Sequence, residues 1–235
     1  MDKAESWLKT TLNYHFSDAA LFKQALTHRS APGQSNERLE FLGDAVLDFV
    51  VSEVIYRSMP GASEGDLSRL RASLVKDTSL AERAIELGLG EHLILGSGER
   101  KSGGHRRESI LADTLEAIFG AVFLDGGFDA ATAIVERAFG ERIRHFPDIE
   151  ELRDPKTRLQ EWLQARKLGL PDYDLVGVSG QAHRQRFEVC CKITGFDTQT
   201  RGTGMSRRNA EQESAERMLV ELVAQQGSID GPQPR

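Results

Sequence analysis

Residues 36–47 read NERLEFLGDAVL, and this stretch decides the fold of the first half of the chain. At about 100° per residue, Glu37, Glu40 and Asp44 fall within one narrow arc of a helix. Apolar side chains fall on the opposite side: Leu39, Leu42, Val46 and Phe49. Carboxylates on one helix face repel one another unless a positive charge lies among them, and hard cations such as Mg²⁺ prefer carboxylate oxygens. The pattern therefore indicates either a cation site or a solvated acidic stripe.

A second carboxylate pair, Asp113 and Glu116, has the same i, i+3 spacing in a segment that becomes almost wholly apolar. Burying unpaired charges in such a helix is costly. If the two helices pack side by side, four carboxylates converge on one oxygen-rich site. These are Glu40, Asp44, Asp113 and Glu116. The spacing alone leaves that convergence open.

Composition indicates a folded protein with room for one large or two small domains, because 39% of its 235 residues are hydrophobic. The polar start does not resemble a secretory signal. The longest clean apolar run, residues 117–124, is far shorter than the ~20 residues that span a bilayer. The only cysteines, Cys190 and Cys191, are neighbours that would point to opposite faces of a strand, which argues against a disulfide between them. We therefore expect a cytoplasmic protein with no membrane association.

The charge is divided unevenly along the chain. The total is −6, but residues 1–153 carry −7 and residues 154–226 carry +1. A uniformly acidic protein would suit a nucleic-acid partner poorly. An acidic domain that gathers cations, joined to a neutral domain with local basic groups, suits one better.

Two domains are predicted from the organisation of the chain. Residues 1–146 read as successive helices without convincing strand alternation, so this domain should be all-α. Residues 147–153, which are acidic and begin with a proline, form the predicted linker. Residues 154–226 read α-β-β-β-α, with Ser206 capping the last helix. Residues 227–235 are rich in Gly, Pro and Gln, and we expect them to be disordered.

The stretch at 36–47 resembles the signature motif of the ribonuclease III family. Residues 101–109 and the helix after them resemble the second catalytic segment of that family, and the resemblance covers most of the chain. It implies a homodimer that cleaves both strands of double-stranded RNA with Mg²⁺, which Mn²⁺ can replace, leaving 5′-phosphate and 3′-hydroxyl ends in rRNA and mRNA processing.

The resemblance also assigns roles to the acidic residues. The implied metal ligands are Glu40, Asp44, Asp113 and Glu116, and the implied catalytic groups are Asp44, Glu116 and Glu37. Glu37 and Glu64 match accessory acidic positions. Since all six carboxylates are present, the sequence gives no indication that the enzyme is catalytically inactive. Water activated by a metal needs no histidine base, so His28, His92 and His105 are interpreted as structural or surface residues.

The second domain resembles a double-stranded RNA-binding domain. The resemblance implies contacts to RNA from three places: the first helix, the turn after the first strand and the start of the last helix. The residues are Thr157, Gln160, Glu161, Gln181, His183, Ser206, Arg207 and Arg208. Free N–H groups at a helix start favour phosphate, although a serine cap followed by solvated arginines is the alternative. The family often has lysine where Asn209 stands, which shortens the basic cluster.

Phe41 is predicted to anchor the dimer interface, because it lies among the carboxylates and not on the apolar face. The alternative is an ordinary core phenylalanine. Two other functions also remain open from the sequence. One is a noncatalytic regulator that binds double-stranded RNA. The other is a helical interaction protein whose acidic pairs merely balance Arg38, Arg69 and Arg71.

Overall fold

The structure is a computed structural model that describes residues 1–144, 146, 152–181 and 184–229. The chain divides into two units, Met1–Ile149 and Glu150–Arg235. Three features predicted from the sequence fall wholly or partly outside the described residues: His183, residues 147–151 of the linker, and residues 230–235 of the tail.

The first unit is helical. Its helices are α1 (Asp2–Leu12), α2 (Ala19–Ala25), α3 (Glu37–Ser58), α4 (Glu64–Val75), α5 (Asp77–Glu86), α6 (Ser97–Lys101), α7 (Glu108–Phe139) and α8 (Glu141–Arg144). Two helices of this unit begin with a side-chain cap. The carboxylate of Asp18 accepts hydrogen bonds from the N–H groups at the start of α2, and the hydroxyl of Ser63 accepts one from Asp66 in α4.

The core of this unit is built on the contact between α3 and α7, whose backbones touch at two glycines. A Cβ placed on Gly43 would lie 1.8 Å from the carbonyl oxygen of Glu116, and one on Gly120 would lie 2.2 Å from that of Leu39. Neither position therefore has room for a side chain. The approach lets the buried faces of both helices close on Leu47 and Phe119, which are fully buried.

A kink divides α7 at Gly127, whose φ of 79° is left-handed. Just before it, the carboxylate of Asp125 accepts hydrogen bonds from the Tyr14 hydroxyl at 2.7 Å and from the N–H groups of Ser17 and Asp18 at 3.0 and 2.9 Å. The hydroxyl of Tyr14 is partly buried against this carboxylate, which raises its pKa. Asp125 thus ties the kink to the segment that leads into α2.

Residues 91–104 are rich in glycine but are not simply a loop. They contain α6, which lies between two short 3₁₀ turns at Leu89–His92 and Gly104–Arg106. A glycine with positive φ precedes each of these turns, as Gly103 does with a φ of 83°. Helix α2 ends at Ala25, and Thr27 just after it forms a parallel bridge with Ile94.

Helix α7 is the one helix, within the described part of the chain, that is long and apolar enough by length and composition to cross a membrane. The prediction considered only the uninterrupted apolar run at residues 117–124, which is too short to span a bilayer. The whole of α7 is long enough, because few charged residues follow Leu124. A single such helix is weak support for a membrane span, since the core helix of a globular protein passes the same test.

The second unit has the predicted order α-β-β-β-α. Its elements are α9 (Pro155–Ala165), β1 (Pro171–Ser179), β2 (Arg186–Ile193), β3 (Gln199–Gly204) and α10 (Arg207–Ile229). The three strands form one antiparallel sheet in the order β1-β2-β3. Buried side chains from both helices and from β2 form its core: Leu159, Leu163, Cys191, Ile193, Ala215, Met218 and Leu222.

Details of the second unit differ from the sequence predictions. Strand β3 begins only at Gln199, because Phe196 closes a turn onto the carbonyl of Ile193. The alternation along β2 predicts Cys190 on its polar side, but Cys190 is buried, with its Sγ near Gln199. Both cysteines are free, as expected.

The predicted disordered tail is wrong for residues 227–229, because α10 continues to Ile229. The residues before Gly227 are good helix formers, and one glycine costs a helix only about 1 kcal/mol relative to alanine.

The glycine contact predicts a large loss of stability on substitution. Gly43→Ala should lower the free energy of unfolding by about 1–3 kcal/mol, because the new methyl group would overlap the carbonyl of Glu116. Gly98→Ala is the matched control, since a Cβ at Gly98 has no neighbour within 4 Å and α6 should gain slightly from alanine. Urea unfolding measures both values. Equal stability of the two variants would show that α3 and α7 do not touch at Gly43.

Candidate functional site

The contact between α3 and α7 places the predicted metal ligands on facing turns. Glu40 and Asp44 flank Gly43, whose Cα abuts the backbone of Glu116, and Asp113 lies one turn before Glu116 on α7. We call Glu40, Asp44, Asp113 and Glu116 the acidic cluster. The structure thus brings these carboxylates close enough to act on the pKa values of Glu40 and Glu116.

The carboxylates of the acidic cluster influence one another strongly. Burial, followed by the negative charges of Asp44 and Glu40, raises the pKa of Glu116 to about 8. Burial also raises the pKa of Glu40, and the charge of Asp113 adds to this shift. The charged forms are disfavoured because partly desolvated like charges face one another. The cluster therefore has affinity for protons or for another positive charge.

A cleft of about 430 Å³ opens beside the cluster and includes Glu37, Glu40 and Asp113 in its wall. Glu37 is held at the rim by the Ser35 hydroxyl, which donates to Oε2 at 3.0 Å, and by Arg29, whose Nη1 is 3.7 Å from Oε1. The structure thus brings Glu37 to the same site as two of the predicted ligands.

The donor set suits a hard divalent cation. Carboxylates on two neighbouring helices repel one another, and a cation between them would relieve the repulsion that raises their pKa values. As they stand, no three described histidine, cysteine, aspartate or glutamate side chains form a group that could hold a metal ion. Binding would therefore require the side chains of the acidic cluster to turn toward a common point.

Glu64 lies elsewhere. It is exposed in the first turn of α4, where it accepts a hydrogen bond from Ser68 at 2.8 Å and lines a separate groove with Tyr56 and Arg71. Within the described part of this one chain, that groove and the cleft share no lining residue. The structure therefore does not bring Glu64 to the acidic cluster.

Phe41 is 80% exposed, which excludes the alternative of a core phenylalanine. Phe49, expected on the apolar side of α3, is 59% exposed and packs edge-on against Phe128, with ring centroids 5.2 Å apart. Tyr56 is exposed on the same side of α3. Phe49 lies outside the core because its side chain is about 80° from that of the buried Leu39 around the helix axis. We call Phe41, Phe49, Tyr56 and Phe128 the aromatic face.

The predicted phosphate clamp lies at the start of α10. The hydroxyl of Ser206 accepts the N–H of Asn209 at 3.2 Å, so its role as a cap is confirmed. Arg207 and Arg208 are exposed, and each has an acidic partner in the same unit. Nε of Arg207 is 2.9 Å from Glu211, and Nη2 of Arg208 is 3.7 Å from Asp154. Sequence reasoning missed both partners.

The other predicted RNA contacts are exposed where the structure describes them. Thr157, Gln160 and Glu161 lie on α9, and Glu161 is 3.3 Å from the guanidinium of Arg153. Gln181 follows β1. The cap, the exposed part of α9 and the turn belong to one unit, but His183 of that turn lies outside the described residues.

Two of the three arginines proposed to balance the acidic pairs have partners outside the acidic cluster. Arg69 lies 2.7 Å from Asp66, and Arg71 lies 4.0 Å from Asp48. Arg107, just before α7, lies 2.9 Å from Glu99. The interpretation of the cluster as acidic pairs balanced by Arg69 and Arg71 is therefore wrong.

Four further residues belong to the site and were missed or set aside from the sequence. Asp77, at the start of α5, raises the pKa values of Asp113 and Glu116 through its charge. His28 and Arg29 line the cleft, and the positive charge of Arg29 lowers the pKa of Asp113. Gly43 sets the helix contact. A glycine inside an otherwise apolar helix was the available signal for Gly43; Asp77 had none.

The chain matches known proteins along most of its length. Residues 18–143 match the family described as Ribonuclease-III-like, and residues 155–222 match the double-stranded RNA binding motif. It is 54% identical to Ribonuclease 3 of Dechloromonas aromatica, over 91% of this chain and 96% of that protein. It is 49% identical to Ribonuclease 3 of Vibrio cholerae, over 92% and 96%.

A solved structure resembles the first unit. The nuclease domain of ribonuclease III from Campylobacter jejuni is 44% identical, with a TM-score of 0.57, and the match covers 59% of this chain and 98% of that one. The acidic cluster, the helical fold around it and these matches together lead to one conclusion. The chain belongs to the ribonuclease III family of endoribonucleases, which act on double-stranded RNA.

Proposed function

We propose that this protein is a Mg²⁺-dependent homodimer that cleaves both strands of double-stranded RNA, leaving 5′-phosphate and 3′-hydroxyl ends. The acidic cluster carries this proposal. Its four carboxylates converge across the contact between α3 and α7, and burial together with their mutual repulsion raises the pKa of Glu116 to about 8. A binding-only protein has no use for such an arrangement, since it costs folding free energy.

The family requires a divalent metal ion, and we assign its binding to Glu40, Asp44, Asp113 and Glu116, with Mn²⁺ able to replace Mg²⁺. When bound, such ions lower the pKa of water and relieve charge on the leaving oxygen. Glu116 must lose its proton to bind a cation, because its pKa lies near 8. Asp44 and Glu116 act at the centre of the site. Glu37 acts at the rim, and Glu64, which lies outside the acidic cluster in this chain, keeps only the accessory role that the resemblance implies.

RNA is held by the second unit in this proposal. Ser206, Arg207 and Arg208 clamp phosphates, while Thr157, Gln160 and Glu161 contact 2′-hydroxyl groups in a minor groove. Gln181 and His183 reach a second minor groove. The arginines must leave Glu211 and Asp154 to bind phosphate. Surface ion pairs are worth only about 0–1 kcal/mol, so the exchange costs little.

The homodimer rests on the aromatic face. An exposed patch of large aromatic side chains is typical of an interface, and Phe41 is its most exposed member. The ribonuclease III nuclease domain of Campylobacter jejuni has a region involved in dimer formation. We also propose rRNA and mRNA as substrates and the cytoplasm as the location.

The test of the cleavage proposal uses duplex RNA with and without Mg²⁺. Glu116→Gln should lower the cleavage rate about 100-fold or more, because it removes one charged ligand without changing shape. Duplex binding, measured without metal, should stay within about twofold. Glu82→Gln, on the surface of α5, is the control and should cut normally.

Two results would contradict the proposal. Wild-type protein that binds duplex RNA but cuts none of it with either Mg²⁺ or Mn²⁺ would favour the noncatalytic regulator. A loss of RNA binding equal to the loss of cleavage would remove Glu116 from the metal site.

The clamp predicts a change in salt dependence. Replacing Arg207 and Arg208 with alanine should weaken binding to all duplexes alike and reduce the slope of log K against log salt by about 1 for each phosphate that is no longer bound. Arg166→Ala with Arg217→Ala removes the same charge elsewhere in this unit and should leave the slope nearly unchanged. A new sequence preference with an unchanged slope would mean that Arg207 and Arg208 read bases.

The aromatic face predicts that Phe41→Ala weakens the dimer. Its dissociation constant should rise about 30-fold or more, because truncating a central interface anchor costs ~2 kcal/mol or more. The fold should be unaffected, since the ring is exposed in one chain. Sedimentation measures the monomer fraction, and Ile85→Ala, at another exposed apolar residue, is the control. A variant that stays dimeric when dilute and makes normal double-strand cuts would place the anchor elsewhere.

A further inference from the structure

His28 lies in the wall of the cleft that also contains Glu37, Glu40 and Asp113. It follows α2, and its backbone is fixed from both sides. The N–H of His28 donates to the carbonyl of Ile94 at 3.0 Å, and the preceding residue forms the parallel bridge to Ile94. The imidazole is therefore carried by a rigid support next to the acidic cluster.

A chain of hydrogen bonds orients the imidazole ring. The N–H of Gly96 donates to the hydroxyl oxygen of Ser30 at 3.0 Å, and that hydroxyl lies 2.8 Å from Nδ1 of His28. The backbone carbonyl of Ser30 is held against Gly96 so closely that a Cβ there would lie 2.2 Å from it. Ser30 is thereby fixed in place, and it fixes the ring.

The same contacts assign the proton of the neutral ring. The backbone N–H of Ser30 also donates to Nδ1, at 3.2 Å, so Nδ1 accepts hydrogen bonds. The proton then belongs on Nε2, which becomes a donor. Ser30 contacts Nδ1, and within the described part of the chain Nε2 is left to donate to another group.

The cleft has a use for such a donor. A carboxylate wall repels phosphate, and the two arginines that line the cleft already face carboxylates. Arg29 lies 3.7 Å from Glu37, and Arg107 lies 2.9 Å from Glu99. A neutral ring can donate a hydrogen bond to a phosphate oxygen. Unlike the positively charged side chain of arginine or lysine, it does not compete with a cation for the acidic cluster.

We propose that His28 donates its Nε2–H to a phosphate oxygen of the RNA strand that lies at the acidic cluster, with Ser30 as the residue that positions the ring. This makes His28 a substrate-binding residue, whereas the sequence alone indicates a structural or surface role. The inference rests on the proposed cleavage of RNA at this cluster.

Two amide substitutions separate this role from a structural one. The side-chain nitrogen of glutamine reaches the position of Nε2 in histidine, whereas the amide of asparagine reaches only that of Nδ1. His28→Gln should keep most of the cleavage rate, within about fivefold, while His28→Ala and His28→Asn should each lose about 10–100-fold, the usual value of a hydrogen bond to a charged group. Ser30→Ala should show a smaller loss.

The rates are measured in single-turnover cleavage of duplex RNA in Mg²⁺ with full-length protein, beside melting curves of every variant. His15→Gln, at an exposed histidine outside the cleft, is the control. If asparagine restores the rate and glutamine does not, His28 acts through Ser30 on the fold, and the inference is overturned. It is also overturned if wild-type protein cuts RNA and His28→Ala cuts equally well. If the wild-type protein does not cut, the proposed function fails, and this inference falls with it.

Discussion

The first unit depends on the close contact of α3 with α7 at Gly43 and Gly120. With no side chain at either position, the two backbones meet within van der Waals distance. This contact buries the apolar faces of both helices, and it also sets the distance between the carboxylates that flank it. Larger residues would push the helices apart, and the acidic cluster would separate along with the core. Packing and chemistry are therefore specified by the same two residues.

The acidic cluster opposes the stability that this contact provides. Burial and like charge raise the pKa values of Glu40, Asp113 and Glu116, so the charged forms are strained in the absence of a cation. The sign follows from linkage. A folded-state pKa above the unfolded value makes a carboxyl group favour the folded state at low pH, and this contribution is lost as the pH rises from about 4.5 through about 8 for Glu116. A bound divalent cation replaces the lost protons and removes the strain.

Helical spacing was enough to predict α3, α7 and the shared face of the carboxylates, because the period of a helix fixes which side chains align. It was not enough to place Phe49, which lies between the apolar and acidic arcs. In the structure Phe49 packs against Phe128, which follows the kink at Gly127. Asp77 and His28 come from separate elements that meet the cluster through tertiary packing. Tertiary contacts of this kind leave no local pattern in the sequence, so Asp77 and His28 could not have been found from sequence periodicity.

In the function proposed above, helix α3 has two roles on adjacent arcs. Glu40 and Asp44 belong to the acidic cluster, and Phe41, between them in sequence, is 80% exposed. Because a helix is stiff over a single turn, anything that packs on Phe41 also restrains the carboxylates beside it. Covering the aromatic face with a second copy would therefore order the acidic cluster as well as pair two of them. In this arrangement dimerisation affects the geometry of each cleavage site in addition to the number of strands cut.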